Sequence, residues 1–232
     1  MPRDAHGLAA PRTREPVLNA PWPVLVLIFV LIGAHAARLL AGLSPQAFAL
    51  TQEGLRTHRG IGLLTYIFVH ASWAHVLMNA VFTLAFGAPV ARFFGVGARG
   101  ALAFFAFFVV CGIAAALGYA GLLDALSRMG AASQDGWALV GASGAASGLL
   151  GAAARLMDDR GRLGPMLGRN VVAMTLAWIA ANALLGLLGL TPGAAGMPVA
   201  WEAHIIGFFA GLLMIGPFAH IAGARRHHSI AP

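Results

Sequence analysis

Residues Gly141–Gly151 read GASGAASGLLG. The glycines at 141, 144, 148 and 151 recur in steps of three and four. That spacing gathers them on one side of an α-helix and lets a second helix come close to its backbone. The string lies inside an apolar stretch, Trp137–Met157, and five more such stretches occur: Trp22–Leu40, Leu63–Phe86, Ala101–Leu123, Val171–Leu190 and Ala203–Ile221. Each is long enough to cross about 30 Å of hydrocarbon at about 1.5 Å per helical residue. They are continuous runs, not the alternating segments of a transmembrane β-barrel. The expected architecture is therefore all-α: a polytopic membrane bundle of six transmembrane helices over residues 22–222. A Pro- and Arg-containing tail, 1–21, read as disordered, precedes it, and a short tail, 223–232, follows.

Composition agrees. Of 232 residues, 59% are apolar and 10% charged, against about 45–50% and about 25% in soluble domains. A soluble protein of this size could not hide so much apolar surface, so part of its solvent is lipid. The single cysteine, Cys111, excludes a disulfide scaffold. All fifteen basic residues are Arg, scattered between apolar runs, which argues against a nucleic-acid partner despite the high pI. With the N-terminus in the cytoplasm, eleven Arg fall inside and four (Arg38, Arg56, Arg59, Arg128) fall outside or at the outer edge. The positive-inside rule thus puts both termini in the cytoplasm. The first stretch exceeds a usual signal-peptide core, and Ala34–Ala37 fits a cleavage site poorly, so a retained first helix is expected. Composition and short soluble parts fit a bacterial inner membrane.

Polar residues within spans are costly and mark function or packing. The second stretch carries HASWAHVLMN, with His70, His75 and Asn79. His75 and Asn79, four apart, share a helical face; each alone reads as an interfacial His or an Asn that glues helices. In the fourth stretch, Ser143 is flanked by Gly141 and Gly144, and Ser147 lies one turn deeper. The sixth opens AHIIGFFAG, with His204, Gly207 and Gly211 on one face. If that face meets the fourth span, His204 lies beside Ser143. Together these residues are the parts of nucleophilic acyl transfer: a hydroxyl, an imidazole base, and oxyanion donors from His75, Asn79 and the Ser143 N–H. No span supplies a convincing Asp or Glu as third member, since Glu202 sits at the helix mouth, so the residues read as a Ser–His dyad. There is no HExxH and no Cys cluster, and the His spacings do not suit a metal, so no metal or cofactor is expected. Hydropathy alone also permits a small-solute transporter.

From about Leu63 to Ile221 the chain resembles the rhomboid intramembrane serine proteases. It carries LLTYIFVHASWAHVLMN, a Gly87-to-Gly95 loop, VGASGA and AHIIGFFAG in that family's order and spacing. The resemblance implies Ser143 as nucleophile, His204 as general base, His75 and Asn79 as the polar pair near the oxyanion, and His70 as a structural histidine. It implies Gly207 and Gly211 as the close-packing strip. It further implies a water-filled site open to the extracytoplasmic side and substrates that are transmembrane segments of other proteins, entering near spans two and five. The loop Thr191–Trp201 would cap the site. The alternative is a non-cleaving binder or chaperone of transmembrane segments; such relatives usually lose Ser or His, and this chain keeps both. It departs from many relatives at Gly62 (Arg in them), Ala91 (Glu) and Ser147 (an aromatic beneath the His). The departures leave open how the first loop is braced and how His204 is held, with Ser147 a candidate hydrogen-bonding substitute.

Overall fold

The computed structural model describes residues 20–57, 60–131, 136–157, 163–189 and 199–224. Nearly all of the N-terminal tail, most of the C-terminal tail and most of the expected cap loop lie outside them. Among the described residues there are eight α-helices: α1 (Trp22–Leu40), α2 (Gln52–Arg56), α3 (Gly62–Thr65), α4 (Trp73–Phe94), α5 (Ala98–Arg128), α6 (Ser143–Ala154), α7 (Arg169–Leu187) and α8 (Trp201–Ala222). Two short strands, β1 (Leu50–Thr51) and β2 (Ala138–Leu139), pair antiparallel.

Five of the helices, α1, α4, α5, α7 and α8, are long and apolar enough to cross a membrane. The second and fourth sequence stretches require correction. Residues 62–68 form α3 and a 3-10 turn, Tyr66–Phe68, and the chain then becomes extended at Val69. The spanning helix restarts only at Trp73, where Ser72 caps it by accepting the His75 N–H at 3.1 Å. It continues through Gly87 and Ala91, expected as loop, and stops at Gly95, whose φ of +91° breaks the helix. The fourth stretch begins not as helix but as β2, and α6 covers only 12 residues, about 18 Å of rise. A helix that short cannot serve against lipid, and it does not have to. Every residue from Gly144 to Ala154 is buried, so α6 is the inner post around which the other helices stand.

Small residues make that burial possible. A Cβ at Gly207 would fall on the Gly144 carbonyl, one at Gly211 on the Gly148 carbonyl, and one at Gly151 on the Phe208 carbonyl. The backbones of α6 and α8 are thus in direct contact at three points, over about two turns. Around them pack Tyr66, Phe104, Phe107 and Phe108, all fully buried. Outside, large apolar side chains are bare: Leu40 is 90% exposed, Leu187 86% and Phe29 77%. Water would penalise so many exposed apolar groups, whereas lipid does not.

The polar residues point inward. Arg38, at the end of α1, donates to the Leu43 carbonyl at 2.6 Å and the His70 carbonyl at 3.4 Å, and Thr65 Oγ1 donates to the Phe48 carbonyl at 2.8 Å. With the β1–β2 ladder, these contacts brace the first loop. Gly62 lets Leu50 pass over it, since a Cβ there would lie 3.3 Å from Ala49 O and from Leu50 Cδ1. At the far end of α6, buried Arg155 donates to the Gly164 carbonyl from Nε (3.1 Å) and Nη2 (2.9 Å), and to the Leu212 carbonyl at 3.2 Å. Arg155→Met keeps the length but removes all three bonds and leaves the buried Gly164 carbonyl without its Arg155 donors. Thermal unfolding in detergent should show a loss of about 2–3 kcal/mol.

Candidate active site

The loop that leads into α6 is held from three sides. The Gly141 N–H donates to the Tyr66 carbonyl at 2.9 Å, and the Tyr66 hydroxyl in turn donates to the Gly112 carbonyl at 2.6 Å. The Ala142 N–H donates to His70 Nε2 at 3.3 Å, within a fully buried environment. Gly141 has φ +113°, and a Cβ there would lie 2.7 Å from His75 Cε1 and 2.8 Å from Nε2. Only glycine satisfies both demands, the left-handed backbone and the imidazole laid against it. Ser143 is the first residue of α6, whose first intrahelical bond is Ala146 N–H to Ala142 O. Its own N–H therefore belongs to the first turn, which has no intrahelical acceptors and carries the positive end of the helix dipole.

His204 sits one turn into α8. Because Gly207 and Gly211 press that helix onto α6, the imidazole reaches the serine: His204 Nε2 lies 2.8 Å from Ser143 Oγ. Its other nitrogen, Nδ1, lies 2.8 Å from Asn182 Oδ1 on α7. Trp178, one turn earlier on α7, donates from Nε1 to the His204 carbonyl at 3.5 Å.

Facing this pair is the start of α4. His75 Nδ1 takes a long hydrogen bond, 3.5 Å, from the Ala71 N–H, which leaves the proton on Nε2. Asn79 is buried and donates one amide proton to the His75 carbonyl at 3.0 Å. His75, Asn79, Ser143, Asn182 and His204 all line one cavity of about 660 Å³, bounded below by Ser147. Phe82 of α4 and Trp178 of α7 meet at its side, ring centroids 5.7 Å apart.

Two matters differ from expectation. Ser147 does not hold the imidazole; its hydroxyl turns back along its own helix and donates to the Ser143 carbonyl at 2.7 Å. Asn182 is not among the residues the sequence singles out, because only a carboxylate is weighed there as a third member. Its signal was present: an amide inside the otherwise apolar run LAWIAANALLGL, which lipid would penalise without a partner.

Helices with bare apolar exteriors, enclosing a hydrogen-bonded Ser–His pair at two adjoining helix ends, define a multi-pass membrane protein. A family model described as the Rhomboid domain matches residues 57–223. That is most of the chain, and the protein belongs to the rhomboid family. No curated protein matches it.

Proposed function

We propose that the protein is an intramembrane serine endopeptidase that hydrolyses peptide bonds in or near transmembrane segments of other membrane proteins. The observation that carries the reading is the 2.8 Å approach of His204 Nε2 to Ser143 Oγ. As the Ser143 oxygen attacks a peptide carbonyl, its proton passes to Nε2. The resulting oxyanion is stabilised by the Ser143 N–H, His75 Nε2–H and the second Asn79 amide proton. Nε2 then returns the proton to the departing amine, and water, deprotonated by the same nitrogen, cleaves the acyl-serine. The Arg distribution supports cytoplasmic termini and a cavity that faces the extracytoplasmic side, and the composition and short soluble parts fit a bacterial inner membrane.

A fluorescent fluorophosphonate tests this without a known substrate. The purified protein should be labelled, and Ser143→Ala and His204→Ala should each lose the label. A folded native protein that stays unlabelled would overturn the peptidase and support a non-cleaving binder of transmembrane segments.

A further inference from the structure

The catalytic histidine is gripped from α7, and the grip carries information about its proton. Asn182 is 1% exposed, buried on a helix whose only other buried residue is Val171. Its two amide ends are chemically unlike. Nδ2 lies 2.9 Å from the Trp178 carbonyl, which can only accept, so the NH₂ end faces Trp178. The Oδ1 end therefore faces His204 Nδ1 at 2.8 Å, and that oxygen can also only accept. Nδ1 must then carry the imidazole proton, which leaves the Nε2 lone pair directed at Ser143 Oγ. The opposite tautomer would set Nδ1 and Oδ1 lone pair against lone pair, and an N–H against the serine.

We propose that Asn182 is the positioning residue that fixes the reactive tautomer and ring orientation of His204, the third member of a Ser143–His204–Asn182 triad. The proposal rests on the peptidase reading for its consequence, though not for its geometry. The neighbouring Ser147 is committed to a backbone carbonyl, so among the described residues Asn182 supplies the side-chain hydrogen bond on the Nδ1 side. The same bond docks α7 to α8, so catalytic competence depends on α7 being seated.

The test is fluorophosphonate inactivation kinetics in detergent for the wild type, Asn182→Leu (similar in size, no acceptor) and Asn182→Asp (acceptor kept). The maximal inactivation rate of Asn182→Leu should fall about tenfold to a hundredfold, as for loss of one buried hydrogen bond. Its half-saturating probe concentration should stay unchanged, and Asn182→Asp should recover most of the rate. A leucine variant as fast as wild type, one slowed only through weaker probe binding, or an aspartate variant as slow as leucine would each overturn the proposal. A second measurement needs no variant: nitrogen-15 NMR of histidine-labelled wild-type protein above neutral pH should show His204 protonated at Nδ1, and protonation at Nε2 would overturn it. Should the wild type take no label, the peptidase reading fails by itself, and the tautomer measurement still decides the role of Asn182.

Discussion

Ser143→Ala should lower peptide-bond hydrolysis by about 10⁴–10⁶-fold, the scale on which serine hydrolases respond to loss of nucleophile or base. The Ser143 hydroxyl touches His204 Nε2 and is not part of the packing between α6 and α8, which is made by Gly144, Gly148 and Gly151. The variant should therefore insert and melt like the wild type, so the loss is chemical. His204→Ala should cost a similar factor. The double variant should be no worse than either single one, because hydroxyl and imidazole act as one unit. Mass spectrometry of peptides released from membranes that contain each variant is the measurement. Fragments that persist in Ser143→Ala at the wild-type rate would remove Ser143 from the mechanism.

Gly211→Val should be the most damaging single change to the fold. Its Cβ would sit on the Gly148 carbonyl, which is backbone and cannot rotate away. To make room, α8 must move off α6, and that opens the close backbone contact that also sets the Ser143–His204 distance. Overpacking of this kind costs about 3 kcal/mol or more, and the melting temperature of a chain this size should fall by about 6–12 °C. Fluorophosphonate labelling should fall with it. Gly121→Ala is the control. Gly121 is exposed on α5 with nothing within 4 Å of an added Cβ, so alanine should raise stability by about 0.5–1 kcal/mol through helix propensity. Equal effects from the two substitutions would refute the close-contact account.

Much of this was legible in the chain. Apolar runs long enough to cross lipid identify α1, α5, α7 and α8 to within a few residues, because a helix facing lipid must be apolar throughout. The small-residue steps at Gly141–Gly151 and Gly207–Gly211 are written for close helix contact, and α6 and α8 make it. Ser143 and His204, each next to such a strip, could be picked out as residues that a shared contact would bring together. Hydropathy misled where the protein itself, not lipid, is the solvent. The parts that misled, Tyr66–Val69 and most of Trp137–Met157, are apolar because they pack inside the bundle, and there a 3-10 turn, a two-residue ladder and a 12-residue helix are all permitted.

The amino-acid sequence by itself determined a lipid-facing helical bundle, the helices that pack closely in it, and the serine and imidazole that meet at its α6–α8 contact. Only the tertiary structure decided where α4 and α6 begin and that Ser147 turns away. Only it showed that Asn182, 22 residues before His204 in the chain and on another helix, closes on its Nδ1. Helical periodicity reports which residues share a face of one helix. Which atom of a neighbouring helix reaches that face depends on crossing angle and rotation, and these are set by packing across the whole bundle.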